Sequence, residues 1–177
     1  MAMKQDVFIE KIVKRRKTGK DMLLIGLILT IIPIAFLASL IIGLEFGMLL
    51  FAGSIYLVYR LITGMNVEYE YILTNDDISI DKIIARRRRK RMYNGSCKNF
   101  TIIAPVSDRA FDTNRKNDRV KLLDFSSGSD PKTQWFFTTK SNDKQILVVF
   151  EPDDRYLQTF RRFNPRAMMN AGMTVTS

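Results

Sequence analysis

Histidine is absent from the 177 residues, and Cys97 is the only cysteine. A zinc or haem site built on histidine is therefore excluded, and one thiol forms neither an internal disulfide nor a thiolate cluster. A glycine-rich phosphate-binding loop is also missing, since Gly95 and Gly128 stand alone in their segments. The sequence predicts no catalytic residue, no metal site and no cofactor. An enzyme is the function class that it supports least.

Charge is missing from two neighbouring stretches of the chain. Residues 22–42 hold no charged side chain, and residues 46–62 hold none before Arg60. About 20 helical residues, each rising about 1.5 Å, cross a hydrocarbon core about 30 Å thick. The sequence therefore predicts a transmembrane helical hairpin over residues 22–62, with spans at 22–42 and 46–62. No Asp, Glu, Lys or Arg lies in the interior of either span, which disfavours transport.

Basic residues outnumber acidic ones by 28 to 18, giving a formal charge of +10. Many of them precede the first span in a basic juxtamembrane arm, residues 1–21, whereas the connection between the spans holds only Glu45. The positive-inside rule then predicts a multi-pass protein of the cell membrane with both termini cytoplasmic. A signal peptide with a cleavage site near residues 35–39 is an alternative, although its apolar region would be unusually long.

The basic arm also has apolar residues, and two structures fit it. An amphipathic helix lying in the membrane interface is one, and a disordered basic arm is the other.

In the first span, Ala35, Ser39 and Gly43 recur every fourth residue and are predicted to share a helix face. This face either packs against the second span or mediates self-association. Pro33 is predicted to kink the helix.

The pattern changes to alternation from Val67 onward, which is typical of half-buried strands. About seven antiparallel strands are predicted, with turns at Asn75-Asp76 and Asn94-Gly95 and an inserted polar loop at residues 107–119. The strand runs are 67–74, 78–85, 86–93, 100–104, 120–125, 134–139 and 146–150.

A helix is predicted to follow the last strand. Asp153 and Asp154 suit its positive N-terminal end, and Asn164-Pro165 ends it. The predicted fold class is an α+β membrane protein, in which the N-terminal hairpin precedes a small antiparallel β roll or barrel capped by this helix. The domain covers residues 66–165, and residues 166–177 form a flexible tail.

The segment of residues 71–80, followed by the basic strand from Arg86, resembles the opening of bacterial pleckstrin-homology-like (PH-like) domains, which often follow paired transmembrane helices. The order of basic arm, hairpin, Glu68-Tyr69-Glu70-Tyr71 and basic strand is similar to an uncharacterised family of small two-helix bacterial membrane proteins. The resemblance implies a cytosolic PH-like domain over residues 67–163. It implies no activity.

Six consecutive cations form the most unusual feature outside the hairpin, and we name them the arginine run: Arg86, Arg87, Arg88, Arg89, Lys90 and Arg91. Strand alternation would turn three of them inward, so the run belongs at an edge, a hairpin end or a loop. Two preceding strands of equal length place it near the bilayer surface, where each cation attracts anionic lipid. With Lys14, Arg15, Arg16 and Lys17 it is predicted to form one surface for lipid or a partner.

Other interpretations of the run stay open. It can be a solvated charge run that keeps an edge strand from pairing, or a partner or nucleic-acid site, although membrane attachment makes nucleic acid unlikely. For the whole chain we expect a non-enzymatic scaffold or binding module that contacts anionic headgroups. The alternatives are a subunit of a larger membrane complex, with a membrane-protein partner or a homo-oligomer, and a regulator of envelope stress or transport.

Overall fold

The computed structural model describes residues 7–117, 119–141 and 144–169. These residues divide into two compact units. A helical unit comprises residues 16–67 and 84–88, and a strand unit comprises the chain up to Arg15, residues 68–83 and the chain from Arg89 onward.

Three helices form most of the helical unit: α1 (Gly19–Leu29), α2 (Ile31–Ile42) and α3 (Leu44–Gly64). A capping box starts α1, because the Thr18 hydroxyl accepts from the Asp21 N–H and the Asp21 carboxylate accepts from the Thr18 N–H. The break between α1 and α2 falls at Thr30. Pro33 has no N–H to donate to the carbonyl four residues earlier, and its ring crowds that carbonyl, which accounts for the interruption.

Two segments are long and apolar enough to cross a membrane, judged by length and composition: Gly19–Ile42 with 24 residues and Glu45–Gly64 with 20. Helix α2 approaches α3 closely where Gly47 lies against the Ser39 carbonyl, and the Phe36 and Phe51 rings meet with centroids 5.6 Å apart. The predicted small-residue face is partly wrong. Gly43, with φ of 102°, lies in the turn between the helices.

The first sheet of the strand unit has the order β1-β2-β3-β4, formed by β1 (Phe8–Lys14), β2 (Val67–Thr74), β3 (Asp77–Ile84) and β4 (Arg88–Ser96). Strand β1 pairs antiparallel with β2, from Phe8 opposite Thr74 to Lys14 opposite Glu68. Both predicted structures of the basic arm, an amphipathic helix and a disordered segment, are therefore wrong over this stretch. The arm adds an edge strand that sequence reasoning missed.

The second sheet has the order β5-β7-β8-β6, formed by β5 (Phe100–Pro105), β6 (Val120–Asp124), β7 (Trp135–Ser141) and β8 (Lys144–Phe150). Strand β6 runs parallel to β8, so the prediction of uniformly antiparallel strands is wrong at this edge. A crossover makes this possible, because the predicted polar loop contains helix α4 (Arg109–Arg115). The predicted turn at Asn94-Gly95 is also wrong, since β4 continues through it.

Helix α5 (Asp154–Phe163) closes the core between the sheets, as predicted. Its Asp153 cap accepts from the Arg155 and Tyr156 N–H groups. The buried Tyr156 hydroxyl donates to the Tyr71 carbonyl oxygen at 2.7 Å, and the Phe160 ring packs on Phe150 at 6.0 Å. Helix α4 covers the other face of the second sheet, where the Phe111 ring lies 5.4 Å from that of Phe136.

A short helix, α6 (Pro165–Met169), follows α5. The Asn164 side chain joins them: its amide donates to the carbonyls of Cys97 and Phe100, both at 2.9 Å, and its oxygen accepts from the Ala167 N–H. The chain is therefore ordered through Met169, beyond the predicted start of a flexible tail at Arg166. Residues 170–177 lie outside the described residues.

Candidate functional site

The arginine run begins on a strained turn. Ala85 and Arg86 both adopt the left-handed conformation, with φ of 53° and 55°. This conformation costs a residue with a side chain about 1–2 kcal/mol. Two backbone hydrogen bonds hold the turn, from the Ala85 N–H to the Asn66 carbonyl at 2.9 Å and from the Arg87 N–H to the Ile84 carbonyl at 3.1 Å. The β2–β3 hairpin therefore returns the start of the run to Asn66, two residues after the end of α3, as its equal strand lengths predict.

Two members of the run bind buried carboxylates on β2 and β3. Arg89 donates to Glu70 at 2.9 Å, and Arg91 donates twice to Asp81, at 2.8 and 3.2 Å. The Glu70 and Asp81 side chains are only 3% exposed. Burial raises the pKa of Glu70, which Arg89 opposes, and the bond to Asp81 raises the pKa of Arg91. These two arginines stabilise the first sheet.

A groove of about 290 Å³ lies beside the strained turn, entirely within the helical unit. Arg60, Leu61 and Thr63 of α3 line one side, and Ile84, Arg87 and Arg88 line the other. Among the residues that the structure describes, the three groove arginines have no side-chain hydrogen bond or ion pair. The groove therefore brings together three uncompensated cations from separate parts of the sequence.

The remaining predicted site residues are exposed. Lys90 is an exposed residue of β4, Lys14 ends β1, and Arg15, Arg16 and Lys17 occupy the segment between β1 and α1. Lys14 and Arg15 belong to the strand unit, while Arg16 and Lys17 belong to the helical unit. One continuous cationic surface that includes the basic arm stays a prediction.

The other side chains that could take part in chemistry, the Cys97 thiol and the carboxylates, make contacts within the fold. Burial raises the pKa of the Cys97 thiol to about 12, so the thiolate is scarce at neutral pH. The Asp76 carboxylate accepts from the Ser96 hydroxyl at 2.7 Å and pairs with Lys98 at 3.0 Å, and both contacts lower its pKa. Within the described ranges, no three carboxylate or thiol side chains cluster as metal ligands would.

Arg60 is the groove cation that sequence reasoning missed as part of a site. The uncharged groove residues that it missed are Leu61, Thr63, Gly64, Ile84 and Ala85. Arg60 stands out as the first charge near the end of the second apolar stretch. That position, combined with the equal lengths of the next two strands, is the signal that pairs Arg60 with the run. Which cations of the run face the groove depends on the turn geometry, which the sequence does not specify.

Comparison with protein families gives one match. The sequence model of the family described as Bacterial PH-like domain (DUF6106) covers residues 5–170. This range includes both apolar helical segments and both sheets. Comparison with curated proteins and with solved structures gives no match.

Proposed function

We propose, from the premise that the chain belongs to the bacterial PH-like domain family (DUF6106), that it is a non-enzymatic integral membrane protein. Its two apolar segments, Gly19–Ile42 and Glu45–Gly64, are the membrane spans. The PH-like domain is presented to the cytosol as a scaffold or binding module. Its basic surface contacts anionic lipid.

The pairing of β1 with β2 is the observation that carries this proposal. Lys14, before the first span, lies opposite Glu68, after the second, so the two flanks of the helical segment are held side by side. A chain that enters and leaves a bilayer at neighbouring points has both flanks on one face of it, which requires an even number of spans. The basic flanks and the single acidic Glu45 between the spans favour the cytosolic face for the domain.

Cysteine labelling of the full chain in whole cells tests this topology. In a Cys97→Ser background, Glu45→Cys reports on the connection between the spans, and Lys132→Cys reports on an exposed site of the strand unit. A membrane-impermeant maleimide is expected to label position 45 in intact cells and position 132 only after permeabilisation. Labelling of both positions in intact cells, or release of the chain by alkaline carbonate, would contradict the proposal.

A second candidate, a subunit of a larger membrane complex, is favoured by a groove on the hairpin. This groove, of about 360 Å³, is lined by Phe36, Ser39, Leu40, Gly43, Met48 and Phe51. An apolar surface of this kind fits the side chains of a partner helix. Purification in mild detergent distinguishes the candidates: a stoichiometric membrane protein supports the subunit, whereas the chain alone or as a homo-oligomer supports the module.

A further inference from the structure

We infer that the groove between α3 and the β3–β4 turn is a binding site for the headgroup phosphate of an anionic lipid. Arg60, Arg87 and Arg88 are its ligands. This inference rests on the proposed membrane insertion and locates the lipid contact at three specific residues.

The charge of the groove is the first step. Arg60, Arg87 and Arg88 are exposed and have no carboxylate partner within the described residues, in contrast to Arg89 and Arg91. The groove lining contains no acidic side chain. Guanidinium groups bind phosphate through paired hydrogen bonds. Three of them around one groove therefore favour an anionic phosphate over an uncharged ligand.

The end of α3 opposes this charge only in part. The C-terminus of a helix carries about −0.5 of an elementary charge, which attracts the arginines and repels an anion. Three guanidinium charges exceed it several-fold. A positive field therefore remains in the groove.

The backbone prepares the groove before any ligand arrives. Ala85 and Arg86 hold their left-handed conformation through the hydrogen bonds to Asn66 and Ile84, and this turn sets Arg87 and Arg88 beside the end of α3. Strain of this kind persists where surrounding contacts over-determine it. Because the turn is already formed, little backbone entropy is lost when a ligand binds.

The position of the groove selects a lipid over a free ion. Arg60 lies four residues before Gly64, at the point where the apolar surface of α3 ends. Leu61 and Ile84 give the groove an apolar wall next to its cations. A lipid presents the same sequence of groups, a phosphate followed by glycerol and acyl chains. The volume, about 290 Å³, is at the lower end for ligand pockets and suits a headgroup.

Lipid selectivity of the full chain tests the inference. The chain is reconstituted into nanodiscs of phosphatidylcholine with a minority of phosphatidylglycerol, released into mild detergent, and its retained lipids are identified by native mass spectrometry. Wild type is expected to retain phosphatidylglycerol in excess over its bulk fraction. The Arg60→Gln/Arg87→Gln/Arg88→Gln variant is expected to lose this excess. Each cation removed is expected to lower the affinity for phosphatidylglycerol about fivefold, because a basic residue near an anionic surface contributes about 1 kcal/mol.

A matched variant controls for total charge. Lys121→Gln/Lys132→Gln/Lys140→Gln removes three exposed cations outside both the groove and the arginine run and is expected to keep the excess of phosphatidylglycerol. Equal losses in both triple variants would overturn the site in favour of diffuse attraction. If the groove variant changes the far-UV circular dichroism spectrum, Arg87→Gln alone, compared with Lys140→Gln, gives the same discrimination.

Two further arms distinguish the sources of phosphate and the two proposals. Inorganic phosphate, titrated calorimetrically into the detergent-solubilised chain, is expected to show no saturable binding. Saturable binding that the groove variant abolishes would assign the groove to a soluble phosphate instead. Failure of wild type to stay in the membrane fraction contradicts the proposed function. A wild-type preference for phosphatidylglycerol that the groove variant retains contradicts only this inference.

Discussion

Arg91 donates two hydrogen bonds to the buried Asp81 carboxylate, whereas Lys90 is its neighbour in the chain on the same strand, β4. Alternation along β4 separates such neighbours, because successive side chains leave a strand on opposite faces. The arginine run therefore combines cations of different kinds. Arg89 and Arg91 compensate buried carboxylates, and Arg87 and Arg88 line the groove.

At this scale we predict that Arg91→Ala destabilises the strand unit by about 2 kcal/mol, since it leaves the buried Asp81 carboxylate without its charged donor. Urea unfolding followed by the fluorescence of Trp135, the only tryptophan, measures the change. Lys90→Ala is the matched control, and its effect is expected to lie within about 0.5 kcal/mol of zero. Equal effects of the two substitutions would refute the structural role of Arg91.

Helices α2 and α3 pack at a point where only glycine fits. A Cβ at position 47 would overlap the Ser39 carbonyl oxygen, whereas a Cβ at position 53 of the same helix meets nothing within 4 Å. Gly47→Ala is therefore expected to force the helices apart at a cost of about 1–3 kcal/mol.

Thermal unfolding of the full chain in detergent, followed by far-UV circular dichroism, measures this cost. Gly53→Ala gains the same helix propensity, about 1 kcal/mol, without the overlap, so it is expected to be neutral or stabilising. A Gly47→Ala chain as stable as the Gly53→Ala chain would show that α2 and α3 do not pack at Ser39.

Elements with a strong local pattern could be predicted from the sequence. The apolar helices are predicted by the length of their uncharged stretches, and the β2–β3 hairpin by alternation on both sides of Asn75-Asp76. Helix α5 is predicted by the helix start at Asp153. Strand β1 could not be predicted from the sequence, because the spacing of its apolar residues fits either a helix or a strand. Its partner, β2, also lies beyond the whole hairpin in the chain. The parallel pairing of β6 with β8 depends in the same way on a distant strand.

The site divides along the same line. A run of six cations and an arginine near the end of an apolar helix are visible in the sequence. The ion pairs of Arg89 with Glu70 and of Arg91 with Asp81 are not visible in the sequence. In the sequence, the two carboxylates look like ordinary polar positions of strands, and only the assembled sheet brings them to the arginines of β4. The three groove cations can be identified only after those pairs are removed from the set.

For the whole molecule, stability is expected to depend on pH through Asp76. Hydrogen bonds from Ser96 and Lys98 lower its pKa in the folded chain, so the folded state favours the carboxylate. This stabilisation is present above the unfolded pKa, about 3.9, and is lost as pH falls through the lower folded value. Glu70 acts in the opposite direction: its raised pKa gives stability below its unfolded pKa that is lost as pH rises.

Asp76→Asn isolates the first contribution. At pH 7 it is expected to lower the free energy of unfolding by about 0.5 kcal/mol, the value of an exposed ion pair, and by about pH 3 the difference from wild type is expected to shrink. Asp77→Asn, at an exposed neighbour, is the control and is expected to leave the pH profile unchanged. A constant difference between Asp76→Asn and wild type across this range would contradict the assignment.

The pairing of β1 with β2 also sets an order of events during synthesis. Strand β1 leaves the ribosome first, but its partner is made only after both apolar helices. Until then Ile9 and Val13, which are buried in the folded chain, and the unpaired backbone edge of β1 lack the contacts that the fold gives them. A nascent chain is therefore open at its N-terminus to chaperones, or to β2 of a neighbouring copy, until the hairpin is complete. The pairing of β1 with β2 is therefore the step that commits a single chain to its own fold.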